Sequence, residues 1–372
     1  MIPVLYDPLD IGDGSLPQHL GKGLLTKTTE CTVTMDANYT FDMTLQIPLL
    51  SQNGLLPQIY DIVKADCGMD NPQFFEIQSV DKDTNGRMLN YYAWHISRRM
   101  AFEVVEPVQE MSIGPSYFSP SQGLDIIRAS MKRVSNFRLH CEFTYANMGT
   151  NRLFFSSLKP ASLLSVLTDY AEVLDARLEF DNYDVYIRPK IDYYNGVRIT
   201  SRRNLIELAD EIDGTELISG YAPYWTTKTN GMEVITEYGE YLISGSKLPY
   251  QRIVPYDLRA KFSGYPDDYS VDLVIIDLMV KQIMSEIGTE YIRGMNLNYH
   301  EIKGHEIHLY DTVDIYCPEI SINESRTVVK VTYNVLRGRN EGIQIGTLQS
   351  TLPELISASS SSREIGIKRS IG

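Results

Sequence analysis

The sequence predicts a mainly β protein in which one β unit occurs twice, with an α+β domain between the copies and a helical insertion in the second copy. Three observations predict this class. The pattern Y-D-x-V-x-x-x-C occurs at 60–67 and returns 250 positions later, at 310–317. Apolar and polar residues alternate over long stretches, as in strands with one buried face. Helical periodicity is concentrated in the segments outside the repeated stretches.

The repeated pattern is followed by the same order of elements each time. After the first copy, the apolar runs Phe74–Val80 and Met88–Ile96 are separated by a polar break. After the second copy, Thr327–Leu336 and Gly342–Leu348 are separated in the same way. Since one repeated supersecondary unit sets the architecture, we predict two similar β-barrels. A chance match of common strand residues is the alternative.

The first unit begins with two alternating stretches. Cys31–Met35 and Tyr39–Ile47 read as strands, and Pro48 ends the second one because proline cannot donate to a sheet. Gly21 and Gly23 read as a turn.

The next segment changes to helical periodicity. Ser119 followed by Pro120 is typical of a helix start, and a second helix is predicted near Pro160. Two short strands around a turn at Asp181 and Asn182 predict a hairpin. This segment is expected to form a separate α+β domain.

Strand-like alternation returns at Val197–Val254 and is interrupted by a helical stretch at Asp268–Ile287. This stretch is apolar on two sides, which predicts burial on more than one face. The expected domains are the first β-barrel tube domain at 1–99, the outer α+β domain at 100–195, the second β-barrel tube domain at 196–255 and 300–356, the inserted helical outer domain at 256–299, and a mobile serine-rich tail at 357–372.

Composition narrows the possible functions. The 372 residues allow two or three units, and 43% hydrophobic and 22% charged residues are ordinary globular values. The 25 tyrosines suit strands and protein interfaces. A net charge of −14 disfavours tight binding to nucleic acid, which depends on lysine and arginine. We expect no secretion signal and no stable membrane insertion.

Signatures of catalysis and of metal binding fail on spacing. Gly21-Lys22 lacks the flanking residues of a phosphate loop, and Ser244-Gly245-Ser246 lacks the glycines of a nucleophile turn. The histidines at 300, 305 and 308 do not fit a zinc-protease helix, so a polar strand edge is the preferred interpretation and a metal site the alternative. The remaining candidates are solvated carboxylate pairs and separated cysteines, namely Asp210 with Glu211, Asp267 with Asp268, and Cys31, Cys67, Cys141 and Cys317. We therefore predict no catalytic, cofactor-binding or metal-binding residues.

Several segments, taken in order, resemble one known family. They are Asn38–Leu45 ending in Pro48, Phe75–Val80 followed by Tyr92–Ile96, Leu178–Tyr183, and Met295–Tyr299 followed by Leu309–Val313. In this order they are similar to the N-terminal hub region of the siphophage tail-associated lysin family, also called prophage tail endopeptidase. The resemblance covers nearly the whole chain, and it comes from the order of the segments.

The resemblance implies a baseplate or tail-tip hub. In such a hub a homotrimer places six similar barrels around a channel, closes the tail tube and opens for DNA ejection. It implies as partners a distal tail protein ring, a tape-measure protein and receptor-binding proteins, and it implies a virion location. Many members continue into a cell-wall hydrolase region. This sequence ends at Gly372, so a short structural member is expected, and a longer native chain is the alternative.

Two other functions stay open at this stage. One is a tail-associated cell-wall hydrolase or peptidase, which would need paired carboxylates or a metal in a cleft. The other is a carbohydrate-binding adhesin that presents aromatic side chains. Trp94 and Trp225 lie in strand-like runs, which favours a core position for both.

Overall fold

The structure is a computed structural model. It describes residues 2–11, 17, 19–49, 55–83, 85, 87–148, 153–190, 193–213, 218–229, 232–242, 248, 250–261, 273, 276–277, 279–280, 283, 292–300 and 306–346. The chain forms two compact units, one built from residues 1–209 and from 294 onward, the other from 210–293. The predicted tail at 357–372, the serines at 244 and 246, His305, and the carboxylates at 267 and 268 lie outside the described residues.

The described part of the chain is mainly β, which confirms the predicted class. The first strands are β1 Val4–Tyr6, β2 Gly23–Leu24, β3 Glu30–Asp36, β4 Phe41–Pro48, β5 Ile62–Ala65, β6 Gln73–Asp83 and β7 Met88–His95. In β4 and β7 buried side chains alternate with less buried ones, as the period-two pattern predicts. Each fully buried Val, Leu or Ile contributes roughly 1.5–3 kcal/mol. The alternation therefore fixes which face of the sheet covers the core.

These strands pair in the order β3-β4-β7-β6-β5-β1, which we call the first repeat. All of its pairings are antiparallel. Strand β6 carries a bulge between Ile77 and Ser79. Before the bulge β6 pairs with β5, and after it β6 continues past the end of β5.

A second set of strands has the same order. The strands are β15 Tyr193–Thr200, β16 Leu205–Asp213, β21 Ile292–Tyr299, β22 Asp311–Cys317, β23 Ile322–Asn334 and β24 Arg339–Gly346. They pair as β16-β21-β24-β23-β22-β15, which we call the second repeat. The bulge also returns, between Val328 and Lys330 of β23. One pairing differs, since β15 runs parallel to β22 whereas β1 runs antiparallel to β5.

The two repeats share one sheet. The second half of β23 pairs antiparallel with β3, from Lys330 opposite Asp36 to Asn334 opposite Thr32. Among the described residues, the two repeats together with β2 thus form one sheet of 13 strands. We had predicted two similar barrels, and the structure adds that the two repeats are joined, because β23 is 13 residues long and pairs with β22 through its first half and with β3 through its second.

The segment between the repeats contains helices and short strands. They are β8 Val104–Val105, β9 Val108–Ile113, α1 Pro120–Ala129, β10 Arg138–Cys141, α2 Tyr145–Met148, β11 Leu153–Ser157, β12 Ala161–Ser162, α3 Leu163–Val173, β13 Ala176–Asp181 and β14 Asp184–Pro189. Ser119 caps α1, as predicted, and the hairpin turns at Asn182 in a left-handed conformation with φ 54°. Short 3-10 helices lie at Pro8–Ile11, Ile96–Phe102 and Pro318–Ile320.

The unit at 210–293 contains its own sheet, in which four strands are described. They are β17 Gly220–Thr229, β18 Met232–Glu237, β19 Tyr241–Leu242 and β20 Ile253–Asp257, followed by the helix α4 Leu258–Lys261. We had placed 196–255 in the second repeat. The structure instead places β17–β20 beside the helical residues 276–283, because Trp225 and Leu258 share a core with Ile276, Val280 and Ile283. Trp225 is fully buried.

The predicted helix Asp268–Ile287 is only partly covered by the described residues. Those that are described, at 273, 276, 277, 279, 280 and 283, are helical. Leu273, within this predicted helix, is largely exposed. In the described part of the chain no helix is long and apolar enough to cross a membrane.

Candidate functional site: the strand corners of the two repeats

The repeated tyrosine and aspartate form the same backbone corner in both repeats. Tyr60 and Tyr310 both have a φ of 71°, a left-handed conformation that non-glycine residues seldom adopt. The N–H of Tyr60 donates to the carbonyl of Ile77 at 2.8 Å, and the N–H of Tyr310 donates to that of Val328 at 2.9 Å. In each repeat the corner before β5 or β22 is therefore hydrogen-bonded to the residue at which the bulge of β6 or β23 begins.

The aspartate after each tyrosine stabilises the corner. Oδ2 of Asp61 accepts from the N–H of Gln58 at 2.9 Å, and Oδ2 of Asp311 accepts from that of His308 at 2.8 Å. Both carboxylates are buried. A buried carboxylate needs such partners because it is costly to remove from water. Tyr60, Asp61, Tyr310 and Asp311 thus shape the backbone at the two corners.

Each carboxylate also meets a basic side chain. Nζ of Lys22 lies 2.7 Å from Oδ1 of Asp61, and this hydrogen bond raises the pKa of Lys22. Nδ1 of His308 lies 3.6 Å from Oδ2 of Asp311. The bond with Asp311 is also the main cause that raises the pKa of His308. The Gly21-Lys22 pair is therefore part of a strand corner.

The second corner lies beside a large cavity. A cavity of about 930 Å³ is bordered by the β3–β4 turn, the hairpin β13–β14 and the corner itself. There the guanidinium of Arg177 lies 4.8 Å from the centre of the Tyr310 ring, a cation–π contact. Burial raises the pKa of Tyr310 well above its ordinary value. Hence the α+β segment covers the second corner from within the same chain.

The first corner is much more open. Tyr60 is 60% exposed, and a smaller cleft of about 220 Å³ beside it is lined by Gln78, Trp94 and Arg98. Trp94 is half-buried, and the guanidinium of Arg98 lies 5.8 Å from its ring centre. Equivalent residues thus have different surroundings in the two repeats.

A polar cluster that the sequence did not reveal joins the first repeat to the hairpin. Oε1 of Gln73 lies 3.0 Å from Nε2 of His95 and accepts from the N–H of Asn182 at 2.9 Å. Oδ1 of Asn182 accepts from the N–H of Phe74 at 3.0 Å. The predicted turn at Asp181 and Asn182 was the available signal. The contact of Asn182 with β6, more than 100 positions earlier, could not be predicted from the residues around the turn.

His95 is fully buried, and burial lowers its pKa to about 3. Its ring stacks on Phe41 with centres 4.1 Å apart. Its second nitrogen, Nδ1, lies 2.8 Å from Oγ of Ser97. The imidazole is therefore neutral and packed among side chains of the first repeat and the 3-10 helix that follows it.

The four cysteines are further candidates that the structure places. Cys31, Cys67 and Cys317 are buried, Cys141 is half-buried, and all four are free thiols. Burial raises the pKa of Cys31 and Cys67 to about 12, which keeps these thiols protonated. Among the described residues no group of three histidine, cysteine or acidic side chains is placed to hold a metal ion.

Comparison with known proteins gives matches at the level of fold. No family model matches the chain, and neither does any curated protein. Among solved structures, the prophage tail protein gp18 from Listeria monocytogenes EGD-e matches with a TM-score of 0.59 and 12% identity over 97% of this chain and 99% of that one. The 43 kDa tail protein of prophage MuSo2 from Shewanella oneidensis also gives 0.59, at 10% identity over 93% and 98%.

A tail protein from Neisseria meningitidis MC58 matches with a TM-score of 0.56 and 9% identity, over 93% of this chain and 96% of that one. All three similarities extend over nearly the full length of both chains. At such low identity they show that this chain shares the fold of prophage tail proteins.

Proposed function

We propose that this chain is a structural component of a phage tail, in which three copies form a hub that closes the distal end of the tail tube. The observation that carries the proposal is the duplicated six-strand unit, found in a fold shared with prophage tail proteins. Three chains with two similar units each place six units around one axis. A threefold assembly of this kind fits a sixfold tube without an abrupt change of symmetry.

In this proposal the hub lies at the tail tip and is assembled in the host cytoplasm. Its partners are the distal tail protein ring, the tape-measure protein and the receptor-binding proteins of the baseplate. The genome leaves through the central channel without being bound. A net charge of −14 per chain favours this passage, because an acidic lining repels the phosphate backbone.

We further propose that the chain acts without catalysis. The acids and bases with the most distinctive surroundings have structural partners, since Asp61 and Asp311 hold the corners and His95 is packed in the core. A zymogram on host cell wall tests this point. A cleared band from the purified chain would favour the hydrolase alternative.

The test of the hub is imaging of phage particles that carry the chain with an affinity tag. We expect a label at the tail tip and a threefold dome in averaged images. Particles lacking the chain should have open or missing tips and should fail to infect, and a copy of the gene supplied in trans should restore both. A label along the tail shaft, or tips that form normally without the chain, would contradict the proposal.

A further inference from the structure

Strands β6 and β23 hold equivalent positions in the two repeats but have different neighbours. Beyond its bulge, β23 pairs with β3 through Lys330–Asn334. The equivalent part of β6 is Ser79–Asp83, because both bulges follow the residue that binds the corner tyrosine. Within the described residues, Ser79–Lys82 pair with β7 on one side and with no strand on the other. In the second repeat this edge of β23 is covered by β3, whereas the equivalent edge of β6 in the first repeat has no strand beside it among the described residues.

The strand that would fill this edge also exists in the chain. In the shared order of strands, β3 of the first repeat corresponds to β16 of the second. Strand β3 has a partner on both edges, whereas β16 pairs with β21 and ends the described sheet. Ile206 in β16 is 59% exposed, and Glu207 and Ala209 are exposed as well. Within the described residues, Ser79–Lys82 of β6 are therefore an unfilled strand edge beyond β5, and residues 205–209 of β16, at the end of the sheet, belong to a strand of the type that such an edge accepts.

The surroundings of the first corner point the same way. Ile59 and Tyr60 are exposed, whereas the equivalent Leu309 and Tyr310 are partly buried by other parts of the chain. Phe102, which lines the cleft beside Tyr60, is 75% exposed. Apolar side chains grouped at an unpaired strand edge are typical of a surface that a partner covers.

We propose that β16 of one copy adds antiparallel to Ser79–Lys82 of β6 in the next copy, repeating between chains the β3–β23 contact found within the chain. The inference rests on the proposed hub and specifies its subunit interface. The two edges differ, so the contact is head-to-tail, and such a contact closes into a ring when the rotation permits. The occupant of the β6 edge is thus a second copy of this chain.

The backbone shows which residues of β6 would make the contact. In the contact within the chain, the carbonyl of Val329 accepts from Ala37 and the N–H of Val335 donates to Cys31. The N–H and C=O groups of successive residues point alternately to the two edges of a strand, so those of Val331 and Tyr333 also point toward β3. Tyr333 corresponds to Lys82 of β6, which is exposed. The N–H of Lys82 is therefore expected to face the next copy.

Lys82→Pro tests the interface at this position, since proline removes the outward N–H and keeps the strand that pairs with β7. Lys82→Ala is the matched control, because it removes the side chain and keeps the N–H. The mass of the full chain is measured by sedimentation over a range of concentrations. We expect a trimer for the unmodified chain and for Lys82→Ala, and an association at least about tenfold weaker for Lys82→Pro, equivalent to one lost backbone hydrogen bond per contact.

Cysteine cross-linking provides a second test that is independent of the proline. Ser79→Cys is combined in turn with Ile206→Cys, Glu207→Cys and Ala209→Cys, and mild oxidation should link chains into dimers and trimers for at least one pair. Ser79→Cys with Glu110→Cys is the control, because Glu110 is exposed on β9, which pairs with β11 in a separate sheet.

The outcomes separate this interface from the hub itself. A trimer that tolerates Lys82→Pro and gives no cross-link with any β16 cysteine would overturn the interface and leave the hub standing. A chain that stays monomeric at every concentration would also overturn it. The proposal that the chain forms a hub would then be tested by the position of the label in phage particles.

Discussion

Asp61 and Asp311 show how one residue type can shape a backbone at two distant places. Each follows a tyrosine with a φ of 71° and accepts the N–H of the residue three positions before it. A left-handed non-glycine residue costs roughly 1–2 kcal/mol, so the local hydrogen bonds must offset that cost. The repeated pair was readable from the sequence as a pattern. Its left-handed geometry was not, because tyrosine gives no signal for a positive φ.

The buried His95 should make stability depend on pH. Its pKa is lowered to about 3 in the folded chain, against about 6.5 when unfolded. The neutral form is favoured by folding, so this contribution is complete above the unfolded pKa and decreases as pH falls below it. From pH 7 to pH 5 the free energy of unfolding should fall by roughly 2 kcal/mol through this residue. Urea unfolding at both pH values measures it.

The control for this prediction is a comparison of two histidines. His95→Gln should be less stable at pH 7 but should lose the roughly 2 kcal/mol decrease between pH 7 and pH 5. The exposed His300 is the matched position, and His300→Gln should keep the decrease of the unmodified chain. Equal decreases in all three proteins would show that His95 is not the titrating group.

At the level of elements, the strands were easier to predict than their partners. Strands β4 and β7 alternate clearly, so their existence and buried faces follow from the sequence. The pairing of β3 with β23 joins residues about 300 positions apart, and nothing in either local pattern specifies it. The bulges in β6 and β23 were also missed. One extra residue shifts the phase of a period-two pattern, and in a short stretch that shift is hard to distinguish from the end of a strand, yet it bends the strand toward a new partner.

Helix α1 allows a quantitative test of an element that the sequence predicted. The hydroxyl of Ser119 accepts from the N–H of Gln122 at 3.1 Å, and the side chain of Gln122 accepts from the N–H of Ser119 at 2.8 Å. Ser119→Ala should lower the free energy of unfolding by about 1 kcal/mol, because it leaves a helix-end donor unpaired. Ser156→Ala, at an exposed position of β11, is the control and should change it by less than about 0.5 kcal/mol. Thermal unfolding of both variants measures the difference, and equal losses would contradict the role of the cap.

At the level of the whole molecule, the internal repeat in the sequence predicted the strand order well, whereas the predicted domain boundaries were less accurate. The spacing of the motifs indicated a repeated order of three strands, and the structure extends this repeated order to six. The strands at 220–257 alternate like those of the repeats, and we therefore assigned them to the second repeat. Periodicity identifies a strand, but the sheet it joins is decided by cores such as that of Trp225 with Ile276 and Val280.

The charge of the whole chain leads to the final prediction, that the purified protein does not retain DNA. Non-specific binding to duplex DNA typically has a Kd of about 10⁻⁴–10⁻⁶ M at physiological salt and depends on basic side chains. With 48 acidic and 34 basic residues, each chain should bind more weakly than that range. Electrophoretic mobility of a short duplex, measured at low and at physiological salt beside a basic DNA-binding protein as positive control, tests this directly. A retarded band that disappears as salt increases would reveal a basic surface, and the proposed acidic channel lining would then be wrong.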